Sequence, residues 1–409
     1  MPKGELLIVD LTSGAASRLP AVKSTQMPAR GGAWLAYLKD APPPPRDAAA
    51  RSGAADESRS RETNRVEYGT DLVLRDLAHE TERTFPDVLE YSFARDGKTL
   101  VYAVSSRTIQ NNGVYAVTPG TVNEPVALVK GGGRYTRLTW NRAETELAFT
   151  TDRGSDSAIL TRFSAYRWQR GTPQAQIIVS PSTPGLPATF SVSDRGSLAF
   201  SRDGSKVYLP VAPPPRSRPF DWTAPDDRVV VDLWHWQDDV IQPMQRVRAN
   251  QERGRTYRGV YHLASGKYVQ LADPAMRTVT VNDEGSRALG MDDSPYRRLV
   301  DYDGQYSDVY LVDTATGQRS LILPKLRGGS GVQWSPDGKF ALFYQNKAWH
   351  LFDAAARAAR EVTSKLGVAV HDEDDDTPDP PGSYGYGGWA RDSRSFLIYD
   401  RFDVWQVFV

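Results

Sequence analysis

The chain contains no cysteine, which removes disulfides, thiol catalysis and cysteine-ligated zinc together. Histidine is scarce. His79, His235, His262, His350 and His371 are the full set, and no two stand at helical ligand spacing, so a multi-histidine metal centre would need convergence from distant parts of the chain. No apolar run approaches the roughly 20 residues that a membrane-spanning helix requires. The N-terminal stretch Met1 to Asp10 has no basic region leading into an apolar core, so it does not read as a signal peptide; it enters a strand almost at once. Net charge is missing too. Fifty basic and fifty acidic residues cancel, so no overall field draws this surface to nucleic acid or to anionic lipid.

What is present is a repeat. In Val332 to Tyr344, Val332 and Trp334 alternate with polar neighbours, Ser335-Pro336-Asp337-Gly338 supplies turn chemistry, and Phe340, Leu342 and Tyr344 resume the alternation. This pattern predicts a β-hairpin in which Gly338 takes the positive φ that a side chain resists. Phe93 to Tyr102 and Phe200 to Tyr208 repeat it with Asp96-Gly97 and Asp203-Gly204, and Trp389 to Tyr399 keeps it with Ser393 in the glycine's place. Trp140 to Phe149 has lost the Asp-Gly pair and Val281 to Leu289 has shifted it. The copies recur every roughly 45 to 80 residues, and the shortest interval matches one four-stranded propeller blade. The expected fold is therefore all-β: a single β-propeller domain over residues 1–409, of six to seven four-stranded antiparallel blades.

The segments between the hairpins fit this frame. Leu6 to Leu11 and Ala16 to Leu19 read as the outer hairpin of a blade, and Val309 to Gly317 repeats that form. Residues 40–66, rich in proline, alanine, serine and charge, predict a disordered insertion, because nothing there can bury a core. Residues 213–227 and 371–383 predict surface loops, the first through prolines that cannot donate to a sheet ladder. Val229 to Trp236 predicts a buried strand with large aromatics, whereas Gln237 to Arg255 is too sparse in apolar residues to predict a helix. The last blade begins near Tyr386 and holds at most three strands by Val409, so either Leu6 to Leu19 completes it or the natural chain continues; continuation is expected, since a half-built blade leaves a bare edge.

Val230 to Asp239, Gln242 to Gln245, Arg253 to Tyr257 and Tyr399 to Gln406 together resemble segments of large bacterial peptidases of the prolyl oligopeptidase family. The resemblance covers nearly the whole chain, as a propeller only. It implies that the chain is the propeller portion of a serine peptidase, gating and orienting peptide substrates for an α/β-hydrolase catalytic domain expected downstream in cis. It also makes a periplasmic or secreted parent possible. The Asp-Gly hairpins are less specific, since Tol-type propellers carry them, and a stand-alone Tol-like scaffold for protein partners is the alternative. A propeller glycosidase is a third reading.

No catalytic, cofactor-binding or metal residue is assigned in this chain, and no cofactor is implied. The family's nucleophile sits on a Gly-x-Ser-x-Gly turn between strand and helix; Gly328-Gly329-Ser330-Gly331-Val332 has valine at the second glycine and precedes a hairpin strand, so it reads as a loop. His371 to Asp376 is the densest charge run, but it lacks the looped, glycine-hinged spacing of a calcium site and reads as a solvated acidic loop. Asp301 to Gly304 reads as a turn. Asp232, Asp292, Asp293 and Asp403 are the carboxylates from which an axial acid and base pair would be drawn, although carboxylates are abundant here. Trp234, Trp236, Trp349, Trp389 and Trp405 read as packing between neighbouring sheets in preference to a ligand face.

Overall fold

The computed structural model describes residues 4–41, 67–155, 160–214, 233–328 and 331–409. They fall into two compact units, Met1–Ser182 with Ala188–Leu198 and Pro213–Asp221, and Thr183–Pro187 with Ala199–Ala212 and Trp222–Val409.

In the first unit β1 (Glu5–Val9) pairs with β2 (Ala16–Pro20). An antiparallel sheet follows from β3 (Val22–Gln26), β4 (Trp34–Lys39), β5 (Thr70–Asp76) and the first half of β6 (Glu82–Phe93). The second half of β6 opens the next sheet, with β7 (Leu100–Val104), β8 (Gly113–Val117) and β9 (Val126–Lys130). One strand thus serves two sheets, bending at Asp87, whose φ is 58°, with a register shift between Val88 and Glu90. Then come β10 (Tyr135–Trp140), β11 (Glu146–Thr151), β12 (Ser164–Gln169) and β13 (Gln176–Val179) as another four-stranded sheet, and the short β14 (Ser191–Val192).

The second unit repeats the plan. Its sheets are β15 (Ala199–Phe200), β16 (Lys206–Ala212), β17 (Tyr257–His262) and β18 (Lys267–Gln270); β19 (Thr278–Val281), β20 (Arg287–Asp292), β21 (Tyr306–Asp313) and β22 (Arg319–Arg327); and β23 (Gln333–Trp334), β24 (Phe340–Gln345), β25 (Ala348–Asp353) and β26 (Ala358–Glu361). Last is a three-stranded sheet of β27 (Tyr386–Trp389), β28 (Ser395–Tyr399) and β29 (Val404–Phe408). Helix α1 (Gln242–Arg253) is inserted between β16 and β17. Within each four-stranded sheet the strands pair in sequence order, β14 alone adding to β16 out of order, so each is an antiparallel meander, the blade of a β-propeller, and the fold class is the all-β propeller.

Apolar residues on facing sheets make the core. In the first unit Val101, Leu128, Leu147 and Phe149 pack together; in the second, Leu289, Val309, Phe343 and Phe352 do, and Leu342, Trp349, Phe396 and Ile398 form a further cluster. Burying each such side chain stabilises by about 1.5–3 kcal/mol, and a single blade has no second layer against which to do so.

The six hairpin turns share one conformation, including the copies whose sequence has drifted. Gly97, Gly204, Gly285 and Gly338 have φ of 69°, 74°, 71° and 68°, and Glu144 and Ser393 take the same place at 57° and 60°. The left-handed residue repeatedly meets the preceding sheet. A Cβ built on Gly338 would stand 2.3 Å from Asn282 Nδ2, and one on Gly285 would stand 2.5 Å from the Tyr208 hydroxyl. Where the position carries a side chain, that side chain bonds backward: the Glu144 carboxylate accepts from Arg95 N at 2.7 Å, and Ser393 Oγ accepts from Asp337 N at 3.0 Å. These bonds offset the backbone strain that a non-glycine residue carries there.

The turn aspartates make the fold acid-sensitive. At Asp203 burial pushes the pKa up, but hydrogen bonds from Ser201 Oγ, Ser205 Oγ and Ser205 N outweigh it and hold the carboxyl down to about 2. Asp96 and Asp337 are lowered in the same way, each against an opposing effect of burial. A folded pKa below the unfolded one contributes stability above the unfolded value of 3.8, lost as pH falls through the folded value. Structure monitored by tryptophan fluorescence is therefore expected to weaken between about pH 4 and about pH 2. In Asp203→Asn the second unit should be less pH-dependent across that window; an unchanged acid limb would contradict the assignment.

Two expectations need correction, both in the insertion between β16 and β17. Residues 229–232 lie outside the described residues, and Leu233 to Trp236 form no strand: Leu233, Trp234 and Trp236 are 87%, 72% and 77% exposed. The reason is that β16 pairs directly with β17, from Lys206↔His262 to Val211↔Tyr257, so the ladder is already filled. Conversely, part of Gln237 to Arg255 is helical. Helix α1 buries no residue, so it shows none of the apolar periodicity by which a core-facing helix is recognised.

Candidate functional site

A cavity of about 390 Å³ opens within the second unit, where α1 meets the β19–β22 sheet. Its helical wall is Arg248, Gln251 and Glu252, with Arg255 just beyond the helix. These positions are spaced three and four apart, so they share one helix face. The sheet contributes Thr278 and Ser307, with Arg277 just before β19, and the connection between β20 and β21 adds Asp293, Tyr296 and Arg297. That connection is shaped locally: Asp292 Oδ1 accepts from Ser294 N at 2.8 Å, and Pro295 enters the short helix Ser294–Leu299 in its first turn.

Ion pairs fix the walls. Arg297, with its side chain only 11% exposed, donates to Asp293 Oδ1 from Nε at 3.0 Å and Nη2 at 2.8 Å, and to Asp239 Oδ2 from Nη1 at 3.0 Å. Asp239 lies just before α1, so one guanidinium ties the helix to the sheet connection. At the other end of α1, Glu252 is chelated by Arg255 and lies 3.6 Å from Arg277. The bonds from Arg255 hold the Glu252 carboxyl below its usual range, against burial. The Tyr296 hydroxyl donates to Asp308 Oδ1 at 2.8 Å, which pushes its pKa up, and its ring meets Tyr306 edge-on at 6.1 Å. Arg327 Nη1 donates to the Tyr306 hydroxyl at 3.0 Å.

Arg248 differs from its neighbours. It is half-buried, lines the cavity, and has no hydrogen-bond or ion-pair partner among the described residues. Four guanidiniums line the space against two carboxylates, with Asp239 a third behind Arg297, so one positive charge is left in excess. Such a cavity can hold an anionic group through planar donors and its polar neighbours through Gln251, Thr278 and Ser307.

The residues singled out from sequence are mostly elsewhere. Asp293 lines the cavity but is committed to Arg297, and Asp292 to the Ser294 turn. Asp403 is exposed, its N–H donating to Asp400, and Asp232 and Ser330 lie outside the described residues. No acid and base pair is assembled from Asp292, Asp293 and Asp403. In the acidic run Asp374 pairs with Arg401 at 2.8 Å and Asp375 accepts from Thr377 Oγ1 at 2.6 Å. Among the described residues no group of three or more His, Asp or Glu could hold a metal ion. Trp349 is buried between sheets, with Trp389 and Trp405 packed on the same cluster, whereas Trp234 and Trp236 are exposed. Sequence reasoning missed the arginines; the one local signal was the shared spacing of Arg248, Gln251, Glu252 and Arg255.

Fold and cavity together define the class of protein: a β-propeller scaffold with a polar, arginine-lined recess. No protein-family model and no curated protein matches the chain. Among solved structures it is similar to the β-propeller domain of the Trilobed protease from Pyrococcus furiosus, at 10% identity and TM-score 0.35, over 83% of this chain and 84% of that one. It is similar to prolyl endopeptidases at 12% identity and TM-score 0.28, over 83% of this chain and 50% of theirs. TolB from Acinetobacter baumannii is matched at 12% identity and TM-score 0.28, over 71% of this chain and 58% of that one. The chain thus spans 50% and 58% of the length of the last two, and likenesses this distant carry no argument about activity. No described helix is long and apolar enough to cross a membrane.

Proposed function

We propose that the chain is a peptide-receiving propeller, the portion of a prolyl-oligopeptidase-like serine peptidase that gates and orients substrates for an α/β-hydrolase domain acting in cis. The observation that carries this reading is the cavity, whose walls alternate guanidinium and tyrosine with neutral amide and hydroxyl groups. Its size falls in the range of small-ligand sites, roughly 300–1,000 Å³, enough for the end of a peptide and too small for a folded protein. The peptidase-like stretch Gln242 to Gln245 belongs to the helix that forms one wall. A fluorescein-labelled unstructured hexapeptide is expected to bind the purified chain saturably, with anisotropy as the readout. Gln251→Trp, which fills the cavity, should weaken binding by at least about ten-fold while circular dichroism stays unchanged. Absence of binding, or binding indifferent to that substitution, would refute the reading.

A second reading has its own observation. Leu233, Trp234, Trp236, Ile241 and Val247 are exposed on the same insertion, and apolar exposure of this kind marks surfaces that meet other proteins. It favours a Tol-like scaffold, in which the partner is a folded protein.

A further inference from the structure

We infer that the cavity is a carboxylate receptor, with Arg248 as its anchoring residue and the carboxylate of a peptide as its ligand. The inference rests on the peptide reading above and narrows it to an anionic peptide.

Three observations carry it. First, Arg255, Arg277 and Arg297 are each engaged by Glu252, Asp239 or Asp293, whereas Arg248 has no such partner among the described residues. The unused donors of a half-buried guanidinium are satisfied by water or by a ligand. Second, the excess is a single positive charge. One carboxylate neutralises it, whereas a phosphate dianion would overshoot and repel Glu252 and Asp293. Third, Gln251 stands beside Arg248 on the helix, and Thr278 and Ser307 stand on the sheet wall. These groups donate and accept, which suits the amide next to a C-terminal carboxylate. Arg277, held more loosely at 3.6 Å from Glu252, lines the same space as a second guanidinium.

The test uses the whole chain and isothermal titration with four probes: N-acetyl-trialanine, its C-terminal amide, succinate and inorganic phosphate. The acid is expected to bind at least about ten-fold more tightly than the amide, the effect of one charge-assisted hydrogen-bond pair. Arg248→Gln should bring the acid down to the level of the amide, and Arg248→Lys should fall between, since it keeps charge but not the planar fork. Arg391→Gln, an exposed change outside the cavity, should alter nothing. Equal binding of acid and amide, tighter binding of phosphate than of the acid, or indifference to Arg248→Gln overturns the carboxylate assignment; the first of these leaves the peptide reading standing. Arg248-dependent binding of succinate with neither peptide bound upholds the carboxylate site and removes the peptide reading. If no probe binds, both fall.

Discussion

Gly338→Ala is expected to destabilise the second unit by about 2–5 kcal/mol, from two sources that a control can separate. The first is conformational: Gly338 has φ of 68°, and a side chain in the left-handed region costs about 1–2 kcal/mol. The second is steric. The added methyl would lie 2.3 Å from Asn282 Nδ2 and 3.1 Å from its Cγ, and relieving such overpacking costs about 1–3 kcal/mol. Asn282 has little freedom to withdraw, because its Oδ1 accepts from Arg287 N at 3.0 Å and its Nδ2 donates to Ser286 Oγ at 3.3 Å. Gly367 has φ of 69° with nothing within 4 Å of its would-be Cβ, so Gly367→Ala carries only the conformational part. By calorimetry the thermal midpoint should fall by roughly 5–12 °C for Gly338→Ala and by a few degrees for Gly367→Ala. The Asn282→Ala background should reduce the difference, since the obstacle is gone. Equal losses for the two glycines would show that the turns do not seat against neighbouring sheets.

That seating explains how much of the fold could be read from the chain. The Asp-Gly pairs at 96–97, 203–204 and 337–338 announce a turn locally, because positive φ and aspartate-to-backbone bonds leave a compositional trace. Trp140 to Phe149 lacks the trace and keeps the conformation, because Glu144 at φ 57° is held by a bond to Arg95 on another hairpin. A non-local bond of this kind has no signature within ten residues of sequence. The misreading at Leu233 to Trp236 has the opposite cause: the local pattern of a strand is present, but β16 pairs directly with β17, leaving no place between them for the segment.

The cavity was less legible still. Its guanidiniums lie between Arg248 and Arg297, on a helix, a sheet and a connecting turn, and which arginine is paired depends on placement. Arg255, Arg277 and Arg297 look alike in the chain with Arg248. Only the partners Glu252, Asp239 and Asp293 distinguish them. By contrast, sequence reading drew attention to Asp292 and Asp293 among four candidate carboxylates, and the structure spends each of these two on local architecture.

Arg297→Met is the change expected to act most selectively on the site. Helix α1 has 12 residues, none buried, and its N-cap Ile241 makes no side-chain cap; a helix of that length is marginal in water without tertiary support. Support comes from side-chain ties at its two ends, and before its start these are Arg297 to Asp239 and Arg298 Nη2 to the Gln237 carbonyl. Both carboxylates facing Arg297 are about half exposed, 51% for Asp239 and 47% for Asp293. Solvent screening therefore limits the tie to about 1–2 kcal/mol, despite the burial of the guanidinium. Opening of the helix should accelerate by roughly 5- to 30-fold, read as faster amide hydrogen exchange across 242–253. Exchange in β24 and β25 should not change, because Phe343 and Phe352 sit in a buried apolar cluster with Leu289 and Val309 that Arg297 does not join. Arg297→Lys, which keeps charge but loses the fork on Asp293, should lie between. Unaltered protection in α1, or an equal loss in β24 and β25, would mean that the helix is held by something other than this guanidinium. The cavity wall would then not depend on the ion pairs that shape it.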